Sequence, residues 1–164
     1  MKKMPGTAKP TTQAAAAPEE YELPGSWWTV PADSEDDKQL VMVTGRSDVD
    51  KFRDNPRFRY HFQITWKYAD QGMPDEETSR LMARVTELLA KALHKDAVAV
   101  ITGIYTGAGQ RDWSLYTLSL PILGRKINEI LAPLPVLPLT FQADEDPAWE
   151  EYGEMSALRP DDEK

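Results

Sequence analysis

Arg57-Phe58-Arg59-Tyr60-His61-Phe62-Gln63-Ile64-Thr65-Trp66-Lys67-Tyr68 decides how this chain folds. Every even position in it is large and apolar or aromatic, and every odd position is polar or basic. Such alternation has the period of a half-buried strand, because successive strand side chains point to opposite faces. The aromatic edge requires a core on its side. The odd edge is expected to form the open side of a sheet.

The segments on either side extend this strand into a fold. Upstream, Leu40–Arg46 alternates Val41 and Val43 with Met42 and Thr44, a short strand. Downstream, Asp70-Gln71-Gly72 closes the strand, and Met73-Pro74-Asp75 leads into a helix expected over 75–94. Leu81, Val85, Leu88 and Ala92 recur there at helical spacing, and Asp75, Glu76 and Glu77 complement the positive N-terminal end. Ala97–Tyr105 and Asp112–Leu120 read as two strands joined by a glycine-bearing hairpin loop, Thr106–Gln110. Pro121 opens a second helix, with Leu123, Ile127, Ile130, Leu131 and Leu134 on one stripe. The last strand, Val136–Gln142, belongs at a sheet edge, because Pro138 has no amide hydrogen to donate.

From the organising strand onward the order is β-α-β-β-α-β. This is the ferredoxin-like two-layer sandwich of the α+β class, with helices on one face of an antiparallel sheet. The strand at 40–46 is an N-terminal addition whose place in the sheet the pattern leaves open. The expected organisation is a disordered segment at 1–20, one domain at 21–153 and an acidic flexible tail at 154–164. Trp27 and Trp28 read as an extended segment capping the core, or as an exposed aromatic clamp.

The 164 residues include five tryptophans and a 41% hydrophobic share, enough for a real core. No apolar run approaches the roughly 20 residues needed to span a bilayer. The start, Met1-Lys2-Lys3, is followed by too short an apolar run for a signal peptide, so a cytoplasmic location is expected. The absence of cysteine excludes disulfides and thiolate metal ligands. Residues 144–164 hold nine acids against Arg159 and Lys164, so much of the net charge of −8 sits at the C-terminal end. That balance argues against nucleic-acid binding through net field.

Catalytic signatures are missing from the sequence, and neither a cofactor nor a metal is expected. His61 and His94 are the two histidines, one in mid-strand and one at a helix end, so they suggest no metal site. Gly107 and Gly109 join two strands, whereas phosphate cradles use a helix N-terminus. Two surfaces remain as candidates. In Asp144-Glu145-Asp146-Pro147-Ala148-Trp149-Glu150-Glu151-Tyr152, Asp146 suits a helix cap with Pro147 at the first position. Trp149 and Tyr152 would then share one face. This is either a docked C-terminal helix or an acidic, aromatic patch formed by Asp144, Glu145, Asp146, Trp149, Glu150 and Tyr152 and facing a basic protein partner. The alternative surface is the basic edge Arg57, Arg59, His61 and Lys67, which would take an anion, a nucleotide or RNA.

Several motifs occur in a characteristic order. They are Trp27-Trp28, the lead-in Asp70-x-Gly72-Met73-Pro74, the hairpin from Thr102-Gly103 to Asp112-Trp113, and Asp146-Pro147-x-Trp149-Glu150-x-Tyr152. Over residues 26–152 this resembles the bacterial domain-of-unknown-function family 695, for which no activity is established. Domains of this kind look similar to protein inhibitors that regulate ribonuclease E, which bind a protein and do no chemistry. The resemblance implies a binding or regulatory protein, and an enzyme is the least favoured expectation.

Overall fold

The computed structural model describes residues 23–35 and 38–160. The segment expected to be disordered at 1–20, and the end of the expected tail at 161–164, lie outside the described residues. In chain order the elements are β1 (Trp27–Asp33), β2 (Leu40–Arg46), α1 (Asp50–Arg53), β3 (Tyr60–Lys67), α2 (Glu76–Asp96), β4 (Ala99–Gly107), β5 (Gln110–Thr117), α3 (Leu120–Leu131), β6 (Leu139–Glu145) and α4 (Glu150–Ser156). The protein is α+β: among the described residues, four helices and one six-stranded sheet of order β1-β2-β4-β5-β3-β6. Every neighbouring pair is antiparallel.

This order is not that of a simple four-stranded ferredoxin-like sheet. The β1–β2 hairpin extends the sheet beyond β4, with Val41–Gly45 of β2 lying against Gly107–Gly103 of β4. The strand at 40–46 therefore adds at an edge, and the tryptophan-bearing segment before it is itself a strand. β6 ends the sheet on the other side, beside β3 and directly after Pro138.

The even residues of the organising strand meet α2 and α3. Phe62, Ile64 and Trp66 pack with Trp113 and Leu115 of β5, Met82, Val85 and Leu89 of α2, and Leu123 and Ile127 of α3. Each such side chain contributes about 1.5–3 kcal/mol on full burial. The helices are well bounded. The Asp75 carboxylate accepts from the Thr78 amide at 2.8 Å, and Ala97 closes α2 in a left-handed conformation, its amide donating to Leu93 O. Ser119 caps α3, whose first turn holds Pro121.

Helices do not lie on one face alone, which corrects the expected two-layer arrangement. A second core of Trp28, Val43, Val49, Phe58, Val100, Tyr116, Trp149, Tyr152 and Met155 lies on the opposite side of the sheet, beneath α4 and the segment around α1. Trp27 packs in the first core and Trp28 in the second, as alternation along β1 requires. Glycines make room for this layer. A Cβ on Gly45 would run into the Trp28 ring, and one on Gly103 into the Met155 sulfur. α4 also crosses the expected domain boundary at 153, and Met155 is 2% exposed. A docked C-terminal helix was one of the two readings of residues 144–152, but α1 is too short to leave a periodic trace, and nothing local assigned either helix to this face.

Candidate functional site

α4 covers only part of the second face, and the rest is a cleft of about 730 Å3. Gln63 of β3, Tyr105 of β4, and Gln110 and Asp112 of β5 contribute to it from the sheet. Ala32 to Glu35, Val41 and Val43 line the hairpin side, while Glu151, Glu154, Met155 and Leu158 line the α4 side. Five carboxylates, those of Asp33, Glu35, Asp112, Glu151 and Glu154, stand among the described lining residues, and no basic side chain does.

Asp112 and Glu151 are held by fixed donors. Asp112 accepts from Thr65 Oγ1 at 2.6 Å, Gln63 Nε2 at 3.3 Å and Gln110 Nε2 at 3.0 Å. These donors are neutral, and among the described residues Asp112 forms no ion pair. Glu151 accepts from Tyr105 Oη at 2.7 Å and Ser114 Oγ at 2.9 Å, and lies 3.4 Å from His61 Nε2. Burial pushes the Glu151 carboxyl up, but the hydrogen bonds from His61, Tyr105 and Ser114 outweigh it and hold the group below its ordinary value. The Tyr105 hydroxyl is pushed far up by burial and by Glu151, so it remains a donor.

His61 is 6% exposed and belongs to this network. Its Nε2 is 2.7 Å from Ser114 Oγ, and its Nδ1 is 3.4 Å from Asp144 Oδ1. Because Ser114 donates to Glu151, the Nε2–H of His61 donates to Ser114. Burial lowers the affinity of the imidazole for a proton. The Glu151 hydrogen bond and charge, together with Asp144, outweigh burial and raise it above its ordinary value.

Ser114, His61 and Asp144 thus touch in the order nucleophile, base, orienting carboxylate. The chemistry does not follow. Ser114 is 0% exposed and gives its hydrogen to Glu151, so a substrate carbonyl has no approach to its oxygen. The arrangement holds the Glu151 carboxylate at the cleft.

α4 is anchored by the residues expected to form a recognition patch. Trp149, 1% exposed, stacks on Tyr116 at 4.0 Å and 11°, and its Nε1 donates to Phe58 O at 2.7 Å. Its backbone is left-handed, φ 55°, at a cost of about 1–3 kcal/mol. The stacking and hydrogen bond offset that strain. Asp146 accepts from Tyr116 Oη at 2.6 Å and from the amides of Glu150 and Glu151. It caps the helix from further upstream than expected, and Pro147 lies before the helix rather than at its first position. Tyr152 is buried and donates to Arg46 O at 2.6 Å. Asp144, Glu145 and Glu150 are exposed.

The basic edge is not gathered into one site. Arg59 pairs with Glu145 at 3.1 Å, and His61 is buried between carboxylates. Lys67, at the far end of β3 and roughly 20 Å from His61 by strand rise, lies 3.8 Å from Asp70. Arg57 is exposed in the loop before the strand. The sequence reading missed Tyr105, Asp112, Ser114 and Glu154, and it took Glu151 only as one acid of the segment 144–152. A signal did exist: Gln110, Asp112 and Ser114 put three polar side chains on one face of the return strand, opposite Trp113 and Leu115.

Membership supplies a frame without an activity. The chain belongs to the family described as a family of unknown function, DUF695, whose model matches residues 26–155. No curated protein matches the chain. Among the described residues, no helix is long and apolar enough to cross a membrane.

Proposed function

We propose that this family member is a non-enzymatic binding protein that takes a basic segment of a protein partner into the acidic cleft. One observation carries the reading: a cleft of about 730 Å3 lined by five carboxylates and no described basic side chain. Asp112 and Glu151 are already oriented by neutral donors and by His61, so a lysine or arginine would meet fixed acceptors. Val41, Val43 and Met155 offer apolar wall to the aliphatic stem. The exposed carboxylates of Asp144, Glu145 and Glu150 extend the field beyond the cleft and raise the association rate. An inhibitor of a basic cytoplasmic protein, such as a nuclease or a toxin, fits this chemistry. We read β4-β5-β3-β6 with α2 and α3 as a ferredoxin-like unit carrying an added hairpin and a second helical layer.

The test is a panel of immobilised peptides, basic, neutral and acidic, with single-stranded RNA alongside. Basic peptides are expected to be retained, to weaken as salt rises, and to be lost with Asp112→Asn plus Glu154→Gln. Preferential retention of RNA or of acidic peptides would overturn the reading and return attention to Arg57, Arg59 and Lys67.

A further inference from the structure

β6 ends the sheet, and among the described residues no strand pairs with its outer edge. The strand runs seven residues, Leu139–Glu145, without a lysine or proline. Natural sheets usually blunt such an edge. The Asp146 amide donates to Arg59 O at 2.7 Å, continuing the β3–β6 register by one pair. Inward- and outward-bonding residues alternate along an antiparallel strand. The backbone groups of Leu139, Phe141, Ala143 and Glu145 therefore face the free edge. Leu139 turns its amide back to Leu137 O at 2.8 Å. Phe141 stacks on Phe62 at 5.6 Å on the α2/α3 side, yet remains 48% exposed.

We propose that this edge pairs with the same edge of a second copy, antiparallel, about a two-fold axis through Phe141. β6 contributes no residue to the lining of the cleft, and Asp144, which also lies against His61, is the residue common to both proposals. In this register Phe141 faces its counterpart, Leu139 faces Ala143, and Pro138 faces Asp144.

Backbone, apolar and charge features select the register together. Phe141 is an outward-bonding residue, so the two copies exchange its N–H and C=O groups. Ala143 N–H reaches Leu139 C=O of the other copy, which leaves the Leu139 turn intact. The apolar row Leu139, Phe141, Ala143 meets the same row of the second copy, and the Phe141 rings adjoin. Asp144 of the second copy then falls in the row of Lys67, because Lys67 lies opposite Pro138 when the register is extended by one. Both side chains are on the cleft face, and the present ion pair of Lys67 with Asp70 is long and exposed, at 3.8 Å. A parallel pairing would instead set Glu145 against Glu145. One strand pair buries less than the roughly 1,200 Å2 of a standard interface, so the dimer dissociates on dilution.

Sedimentation equilibrium over a wide concentration range, with residue-resolved amide exchange, tests this. A reversible dimer is expected, with exchange at Phe141 and Ala143 slowing as concentration rises. Ala143→Pro, which removes an outward N–H, and Phe141→Lys should each weaken association at least about tenfold. Lys67→Glu should weaken it too, and adding Asp144→Lys should restore it. A monomer at every concentration would overturn the proposal. So would exchange protection that ignores concentration, which would mean the edge is covered within one chain, or a dimer indifferent to these variants. If circular dichroism shows Ala143→Pro to be misfolded, Phe141→Lys and the exchange of the unmodified protein decide the matter.

Discussion

The two faces of the sheet are built from the same strands and end differently. On one face Phe62, Ile64 and Trp66 of β3 meet α2 and α3, long helices that close a continuous apolar core. On the other, His61, Gln63 and Thr65 enter polar networks, and a helix of seven residues covers only part of the surface. The first face makes a fold. The second keeps aligned carboxylates beside open space, and there the candidate site lies. An interior strand with one apolar face and one hydrogen-bonding face serves both purposes without compromise to either.

The comparison is most easily broken at Trp149. Trp149→Ala should cost about 3–5 kcal/mol in chemical denaturation, as much as Leu115→Ala in the opposite core. A cost below about 1 kcal/mol would mean that α4 is not an integral layer. Gly103→Val should come next, at about 1–3 kcal/mol, because the added side chain displaces Met155 from beneath α4. Tyr116→Phe should also cost about 1–3 kcal/mol, since it removes the donor to Asp146 and the acceptor of the Tyr152 amide.

A thermal-stability profile against pH sharpens the contrast further. The raised value of His61 gives stability that is fully present below its unfolded value of 6.5 and lost as pH rises through the folded value. The lowered value of Glu151 gives stability present above its unfolded value of 4.5 and lost as pH falls through the folded value. The pair therefore contributes most between about pH 4.5 and 6.5. His61→Gln should flatten the alkaline decline and remove the charge support of Glu151, while substitutions in the apolar core lower the curve without changing its shape. The smallest effect is expected at exposed Glu150, where Glu150→Gln should shift stability by less than about 0.5 kcal/mol.

The first face was legible in the sequence, whereas of the second only a C-terminal helix docked by Trp149 and Tyr152 was, as one of two readings. The alternation of residues 58–68, the stripe of α2 and the apolar stripe of the helix opened by Pro121 each declare themselves within a few turns of chain. The structure starts α2 at Glu76, capped by Asp75, and makes Pro138 the prelude to an edge strand. The site depends on encounters that no local pattern encodes. Ser114 meets Glu151 across 37 positions, and Trp149 meets Phe58 across 91. Its acid and aromatic residues were visible, but their roles divided in space. Trp149, Tyr152 and Asp146 turned inward to anchor α4, and Glu151, an acid of the same segment, turned toward the cleft. The odd residues of β3 were expected at an open surface, but α4 folds back over His61 and buries it.

A titration of isotope-labelled protein with a short lysine- and arginine-rich peptide, followed by backbone and side-chain NMR, tests the central claim most directly. The account predicts saturable shifts at Gln63, Tyr105, Asp112 and Glu154 that shrink as salt is raised, with the α2/α3 face unmoved. Shifts scattered over all exposed carboxylates without saturation, or none in the cleft, would contradict it.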